Sequence, residues 1–228
     1  MSVRDLFDLS GKCGYVTGAG SGRGRAIARG IAAAGGTVVV SDVRRDGAES
    51  IAEEIQSGGG HATALCVDVA DKTQVEALIE ETVRKWGRLD FAFNNAGILK
   101  LEKPEEISEK NWDEELRVDL TGAFLCSQAA GRQMIGNGGG KIINTASISG
   151  LVVNSGLTYS TAKAGVIQMT RVLAMRWARH GVYVNCFSPG YVRSGMTEPH
   201  LTRHEVEQAM IRQKPISRIG EPADIVGT

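Results

Sequence analysis

The chain has 228 residues, with 26 lysines and arginines balanced by 26 aspartates and glutamates, and a pI near 6.9. This length fits one compact α/β domain over residues 1–228, and the charge balance argues against a nucleic-acid-binding surface. A hydrophobic fraction of 42% and a charged fraction of 23% are typical of a folded globular protein. No run approaches 18 apolar residues and the N-terminus is too charged for a signal peptide. We therefore expect a cytoplasmic protein without a membrane partner.

Cysteine and glycine usage adds two expectations. The four cysteines, Cys13, Cys66, Cys126 and Cys186, are widely spaced in apolar runs and form no C-x-x-C pair. This pattern predicts buried free thiols rather than disulfides or metal ligands. Glycine is in excess, with 29 residues against a usual share of about 7%. Many tight turns or close backbone approaches are therefore expected.

Short β-branched runs alternate along the chain with longer segments of helical periodicity, which is typical of repeated βαβ units. The six predicted strands are Cys13–Thr17, Thr37–Ser41, Ala62–Asp68, Leu89–Asn94, Lys141–Ala146 and Tyr183–Ser188. The predicted helices are Gly24–Ala34, Gly47–Gln56, Lys72–Trp86, Lys110–Ile135 and Tyr159–His180. Several strands are apolar at consecutive positions, so helices should cover both faces of the sheet. The pattern predicts a doubly wound, parallel α/β sheet of the Rossmann type.

A glycine-rich turn joins the first predicted strand to the first predicted helix. Its sequence is Thr17-Gly18-Ala19-Gly20-Ser21-Gly22-Arg23-Gly24. Glycines let the backbone approach a pyrophosphate, and the helix N-terminus offers free N–H groups and a partial positive charge. The turn therefore predicts a dinucleotide-binding site.

The second predicted strand leads to Asp42, whose carboxylate suits the ribose hydroxyls of NAD and would repel the 2′-phosphate of NADP. We therefore expect NAD, with NADP less favoured. Arg44 and Arg45 follow and leave the alternative open, because either side chain could pair with a 2′-phosphate or be solvated at a helix start.

The glycine spacing T-G-x-x-x-G-x-G resembles that of the short-chain dehydrogenase/reductase family, and later motifs agree in order. Asp68-Val69 resembles the family's adenine-contacting pair, and Asn94-Asn95-Ala96-Gly97 its N-N-A-G motif. Ser147 matches the catalytic serine, Tyr159-Ser160-Thr161-Ala162-Lys163 the Y-x-x-x-K motif, and Pro189-Gly190 the P-G of the nicotinamide pocket. The resemblance implies cofactor contacts from Gly18, Ser21, Gly22, Arg23, Gly24, Asp42, Asp68, Val69, Asn95, Ala96, Gly97, Tyr159, Lys163, Pro189, Gly190, Val192 and Ser194.

The Y-x-x-x-K motif has a physical rationale on a helix. Residues four apart share one helix face, so the Lys163 ammonium can lie near the Tyr159 phenol and favour its ionised form. We expect Tyr159 to exchange a proton with the substrate oxygen while Ser147 hydrogen-bonds the same oxygen. The resemblance further implies that Lys163 holds the nicotinamide ribose.

Three positions depart from the family pattern. Asp119 stands at the fourth catalytic position, where the family usually has asparagine. Its main chain is still expected to hold a proton-relay water, and its charge to alter the pH optimum. Arg23 replaces a usual isoleucine, and its side chain could reach a cofactor phosphate or point to solvent. Ser194 replaces a threonine and is expected to bond the carboxamide in the same way.

The C-terminal part of the sequence is expected to contribute to the substrate site. The segment 189–216 follows the last predicted strand and is expected to be a substrate loop. His200 and His204 lie within it, four residues apart, but no third ligand accompanies them, so no metal site is predicted. The resemblance implies a seventh strand, which this sequence does not include.

Together these features predict an NAD-dependent oxidoreductase acting on a small secondary alcohol or ketone. The opening Leu6–Lys12 resembles polyol and sugar-acid members of the family. The alternatives are a 3-oxoacyl carrier-protein reductase and a nucleotide-binding protein that has lost catalysis. The resemblance of Lys110–Ile135 and Tyr159–His180 to the family's interface helices also implies a homodimer or homotetramer.

Overall fold

A parallel sheet of six strands forms the centre of the computed structural model, which describes residues 7–153, 156–201, 204–212 and 216–227. The strands are β1 (Cys13–Thr17), β2 (Thr37–Asp42), β3 (His61–Cys66), β4 (Phe91–Asn94), β5 (Gly140–Thr145) and β6 (Val182–Phe187). Their spatial order is β3-β2-β1-β4-β5-β6, and every neighbouring pair is parallel. The order reverses between β1 and β4, which opens a crevice at the carboxyl ends of these strands.

Helices connect the strands. They are α1 (Gly22–Ala33), α2 (Arg45–Ser57), α3 (Lys72–Trp86), α4 (Glu109–Leu116), α5 (Ala123–Gly136), α6 (Leu157–Trp177), α7 (Glu198–Leu201) and α8 (His204–Arg212). A π-helical turn, Arg117–Gly122, joins α4 to α5. Short 3-10 turns occupy Pro104–Glu106, Ile148–Gly150, Ala178–His180 and Pro222–Ile225. Among the described residues, no helix is long and apolar enough to cross a membrane.

The two faces of the sheet bury separate apolar clusters, because side chains alternate along each strand. Val16, Val38 and Val40 pack with α1 and α2 on one face. Tyr15 and Val39 point to the other face and pack with α3 and α5. Both faces are therefore covered, and the predicted doubly wound sheet is confirmed.

Several predicted boundaries differ from the structure. The third strand ends at Cys66 rather than Asp68, since its partner β2 ends at Asp42 and the chain then turns away. The fourth strand begins at Phe91 rather than Leu89. The single helix predicted over Lys110–Ile135 is interrupted by the π-helical turn.

The cysteines are only partly as predicted. All four thiols are free, and Cys13 and Cys126 are buried. Cys186 is half-buried, and Cys66 is exposed because it ends β3, the edge strand of the sheet. The prediction that all four are buried is therefore wrong for Cys66.

Candidate active site

The crevice between β1 and β4 is held by hydrogen bonds from the loop after β4 to the end of β1. The backbone N–H groups of Asn95 and Ala96 donate to Thr17 Oγ1 at 3.0 and 3.1 Å. The Asn95 side-chain amide donates to the carbonyls of Thr17 and Gly18 at 3.1 and 3.2 Å. The N-N-A-G motif and the glycine-rich turn therefore form one connected wall.

A cavity of about 540 Å³ opens beside this wall. Twelve of the predicted cofactor residues line it: Gly18, Ser21, Gly22, Arg23, Gly24, Asp42, Asp68, Val69, Asn95, Ala96, Gly97 and Ser194. Sequence reasoning missed Val43, Val67, Ile98, Glu114, Val118 and Gly195, which also line it. Val43 and Val67 are chain neighbours of predicted residues and could have been found. Glu114 and Val118 reach the cavity through the packing of α4 and the π-helical turn, for which the local sequence holds no signal.

Two glycines are required by the shape of this cavity. Gly18 has φ +61°, and a Cβ there would lie 2.8 Å from Ala96 Cα. Gly22 has φ +52°, and a Cβ there would lie 3.1 Å from Ser194 Cβ. Side chains at these positions would be strained and would fill the cradle in front of α1.

The N-terminus of α1 supplies positive charge to the same cradle. Ser21 is the N-cap residue, but its side chain does not cap the helix. Arg23 lines the cavity, and Arg44 Nη2 donates to Ser21 Oγ at 3.2 Å. Asn95 Oδ1 is buried and has no hydrogen-bond partner within the described part of the chain. These features fit the diphosphate of a dinucleotide.

A carboxylate and a guanidinium meet at the end of β2. Asp42 is buried, and its two oxygens accept from the N–H groups of Gly20 and Arg44 at 2.9 and 3.0 Å. The exposed Arg44 side chain places Nε 3.6 Å from Asp42 Oδ1. The site can therefore offer acceptors to ribose hydroxyls, or a cation to an additional phosphate.

The predicted catalytic residues are brought to the carboxyl edge by β5 and α6. Tyr159 and Lys163 lie on one face of α6, with Lys163 Nζ 5.3 Å from the centroid of the Tyr159 ring. Ser147 follows β5, and its Oγ accepts from the N–H of Ser149 at 3.1 Å. The turn Ile148–Gly150 packs directly on α6, since a Cβ at Gly150 would lie 2.7 Å from the N of Ala164. All three side chains are buried.

Lys163 is held by one ion pair and one hydrogen bond. Its Nζ lies 2.7 Å from Asp119 Oδ1 and donates to the carbonyl of Thr145 at 3.2 Å. Asp119 Oδ2 accepts from the N–H of Ile98 at 2.9 Å. Burial raises the pKa of the Asp119 carboxyl, and the Lys163 ammonium opposes that rise. The residue at the unusual fourth position is therefore an ion-pair partner of the lysine.

Comparison with known proteins agrees with this geometry. The sequence profile of the short chain dehydrogenases matches residues 12–205. The chain belongs to this family. A 2-dehydro-3-deoxy-D-gluconate 5-dehydrogenase from Dickeya dadantii is 34% identical, over 99% of this chain and 89% of that protein. A 3-oxoacyl-[acyl-carrier-protein] reductase from Synechocystis is 36% identical, over 96% of this chain and 88% of that protein.

Solved structures agree as well. A gluconate 5-dehydrogenase from Burkholderia cenocepacia, in complex with NADP and tartrate, superposes with a TM-score of 0.94 at 31% identity. The match covers 99% of this chain and 89% of that one. The predicted family and fold are thus confirmed, and the chain is an oxidoreductase of the short-chain dehydrogenase family.

The remaining predicted residues of this short-chain dehydrogenase lie outside the 540 Å³ cavity. The Pro189 carbonyl accepts from the N–H of Ile148 at 3.1 Å, and Gly190 lies beside Ile148. The Val192 side chain is buried in the apolar cluster with Val16 and Ile27 and does not line this cavity, so its cofactor contact stays a prediction.

The predicted substrate loop, 189–216, contains the helices α7 and α8. Residues 202–203 and 213–215 of this segment, and the side chain of His200, lie outside the described residues. In the part of the chain that is described, no group of three or more His, Cys, Asp or Glu side chains could hold a metal ion.

Proposed function

We propose that this short-chain dehydrogenase is NAD-dependent and interconverts a small secondary alcohol and the corresponding ketone. The observation that carries the proposal is the joint burial of Ser147, Tyr159 and Lys163 where β5 and α6 meet at the carboxyl edge of the sheet. They lie there beside a cradle that fits a dinucleotide. A protein that only bound the nucleotide would have no need of three such groups.

Each of the three residues has a distinct task. In alcohol oxidation the substrate O–H bond breaks and its proton passes to Tyr159, and in ketone reduction Tyr159 returns that proton. Ser147 donates a hydrogen bond to the same oxygen and stabilises its developing charge. Lys163 contributes positive charge near the phenol and binds the nicotinamide ribose. A bound nicotinamide supplies the hydride in reduction and accepts it in oxidation.

The proposed preference for NAD rests on Asp42. Its carboxylate is buried and fixed by two backbone N–H groups, so it cannot turn away from a 2′-phosphate. Desolvated like charges repel strongly. Arg44 favours NADP instead, because its guanidinium could pair with the 2′-phosphate. The Burkholderia cenocepacia neighbour was solved with NADP.

For the substrate we propose a polyol or a sugar acid, the class suggested by the Dickeya dadantii relative and the Burkholderia cenocepacia neighbour. A 3-oxoacyl thioester is the second candidate, and one observation favours it. The chain between Ser147 and Tyr159 and the loop at Leu101 expose five large apolar side chains: Leu101, Leu151, Val152, Val153 and Leu157. Such a rim suits an acyl chain better than a polyol.

A homo-oligomer is proposed through α5 and α6. These helices expose the apolar side chains of Phe124, Val172 and Met175. Isolated exposed apolar residues are common, but these three lie on the two helices that the family uses for subunit contact. Sedimentation of the purified protein as a monomer would contradict this part of the proposal.

The function is tested by binding and turnover. The protein is titrated with NADH and NADPH by fluorescence, then assayed by nicotinamide absorbance with polyols, sugar acids, small ketones and 3-oxoacyl thioesters. We expect tighter binding of NADH, and turnover with polyols or sugar acids. Preferred turnover of 3-oxoacyl thioesters would select the second candidate. Cofactor binding with no turnover of any substrate would contradict the catalytic proposal.

A further inference from the structure

Asp119 and Lys163 form a direct ion pair in the interior. The atoms Asp119 Oδ1 and Lys163 Nζ are 2.7 Å apart, and the two side chains are 0% and 3% exposed. Water therefore screens the pair very little, and the two opposite charges interact strongly with each other. The second carboxylate oxygen is fixed by the Ile98 N–H at 2.9 Å.

The surrounding backbone is shaped for this pair. Asp119 is buried within the π-helical turn Arg117–Gly122, which interrupts the helix where the carboxylate faces Lys163. Gly97 lies against it, and a Cβ there would be 2.6 Å from Asp119 Oδ1 and 3.4 Å from Lys163 Nζ. Any larger residue at position 97 would displace the carboxylate.

Three other titratable groups face the pair. Tyr159 presents its ring to Lys163 from the same helix. Arg23, on α1, interacts electrostatically with Asp119. Glu115 lies one turn before Asp119, where it accepts from the Lys100 N–H at 2.9 Å; burial and the Asp119 charge both raise its pKa. Among the described residues, Asp119 is the acidic group in ion-pair contact with Lys163.

We propose that Asp119 is a positioning residue that fixes the Lys163 ammonium, partly cancels its charge, and thereby moves the working pH of Tyr159 upward. This inference rests on the proposed role of Tyr159 as proton donor and acceptor. An ammonium in contact with a carboxylate stabilises a nearby phenolate less than an unpaired ammonium does. Alcohol oxidation, in which Tyr159 accepts a proton, is therefore expected to need a higher pH than it would with an uncharged residue at position 119.

The first test is the pH dependence of kcat/KM for alcohol oxidation in the 228-residue protein. Asp119→Asn keeps the shape and an acceptor for Lys163 but removes the negative charge. We expect the pH of half-maximal kcat/KM to fall by about one unit, because the Tyr159 phenolate then lies near an ammonium that no carboxylate neutralises. Glu115→Gln is the matched control. It removes a buried carboxylate one turn away that does not contact Lys163, and it should move this pH by much less.

A second readout needs neither substrate nor cofactor. The ultraviolet absorbance of phenolate is followed against pH, and the signal of Tyr159 is isolated by subtracting the corresponding Tyr159→Phe protein. The Tyr159 phenolate should appear about one pH unit lower in Asp119→Asn than in the wild type. A merely structural role for Asp119 would lower the melting temperature and leave this midpoint in place.

An unchanged or higher phenolate midpoint in folded Asp119→Asn overturns the inference. Should that variant fold poorly, Asp119→Ser removes the same charge with a smaller side chain, and the same criterion applies. If the wild type turns over no alcohol, the proposed function fails, while the phenolate titration still decides the inference. Suppose instead that the wild type is active while its kcat/KM profile and its phenolate titration both coincide with those of Asp119→Asn. In that case the inference alone fails.

Discussion

The side-chain amide of Asn144 donates a hydrogen bond to Thr170 Oγ1 at 3.0 Å, which joins β5 to the helix that carries Tyr159 and Lys163. Asn144 Oδ1 accepts in turn from Asn94 Nδ2 at 2.8 Å and from Ser127 Oγ at 3.1 Å. Thr170 lies seven residues, about two turns, beyond Lys163, on the same side of α6. This buried polar network therefore ties β4, β5, α5 and α6 together behind the catalytic residues.

Breaking this network should cost stability. Thr170→Val keeps the shape of the side chain but leaves the buried Asn144 amide without its acceptor, so we expect a loss of about 1–2 kcal/mol in the free energy of unfolding. Thr170 Oγ1 also donates to the Val166 carbonyl of its own helix at 2.8 Å. Thr161→Val is the control, because Thr161 Oγ1 donates in the same way to the Leu157 carbonyl at 2.9 Å but is exposed. Chemical denaturation measures both variants. Equal losses would show that the Asn144–Thr170 bond contributes nothing specific.

The cradle at Gly18 should tolerate no side chain. Gly18→Ala puts an alanine in a left-handed backbone conformation, which costs about 1–2 kcal/mol. Its Cβ would also lie 2.8 Å from Ala96 Cα. We expect at least about tenfold weaker NADH binding by fluorescence titration, which corresponds to about 1.4 kcal/mol. Gly59→Ala carries a comparable strain, at φ +83°, with no atom within 4 Å, and should lose stability without losing affinity. Undiminished NADH binding by Gly18→Ala would place the cofactor elsewhere.

Cofactor preference should depend on Asp42 and Arg44. Asp42→Ala removes the charge that opposes a 2′-phosphate, so NADPH should bind about tenfold more tightly relative to NADH, a change of about 1.4 kcal/mol. Arg44→Gln should weaken NADPH binding more than NADH binding, since it removes the nearby cation. Parallel titrations with both cofactors test this. Unaltered discrimination in Asp42→Ala would remove the basis for the proposed NAD preference.

Thiol reactivity should follow burial. Burial raises the pKa of Cys126 to about 12, and burial together with the Asp90 carboxylate raises the pKa of Cys13 to about 12. At pH 8 these thiols are ionised in about one molecule in ten thousand, so they should be unreactive toward a disulfide reagent until the protein unfolds. The exposed Cys66 should account for the fast phase of labelling, and Cys66→Ser should abolish it. Persistence of that phase in Cys66→Ser would contradict the assignment.

Local signals in the sequence predicted much of the fold. The bounds of β1 and α3 agree with the structure, and local chemistry defines those of α3. The Asp71 side chain caps α3 by accepting from the N–H groups of Thr73 and Gln74, and Gly87 ends the helix in a left-handed conformation. The glycine-rich turn was equally visible, since a strand, glycines at fixed spacing and a helix follow one another directly in the chain.

Long-range packing explains what the sequence did not reveal. The interruption between α4 and α5 occurs where Gly122 packs against Val69, as a Cβ at 122 would lie 2.8 Å from Val69 Cγ2. The ion pair between Asp119 and Lys163 joins residues 44 positions apart. Side-chain contacts of this kind depend on the assembled sheet, so the local periodicity of the sequence cannot predict them.

The most direct test of the catalytic account is the rate of Tyr159→Phe compared with that of Tyr183→Phe. Tyr183 is exposed on β6, so its loss controls for removing a phenol elsewhere. With the best substrate of the wild type, Tyr159→Phe should reduce kcat by about 10²–10⁴-fold while binding NADH normally, and Tyr183→Phe should keep nearly full activity. If Tyr159→Phe instead retains wild-type kcat, Tyr159 is not the group that transfers the proton, and the proposed mechanism is wrong.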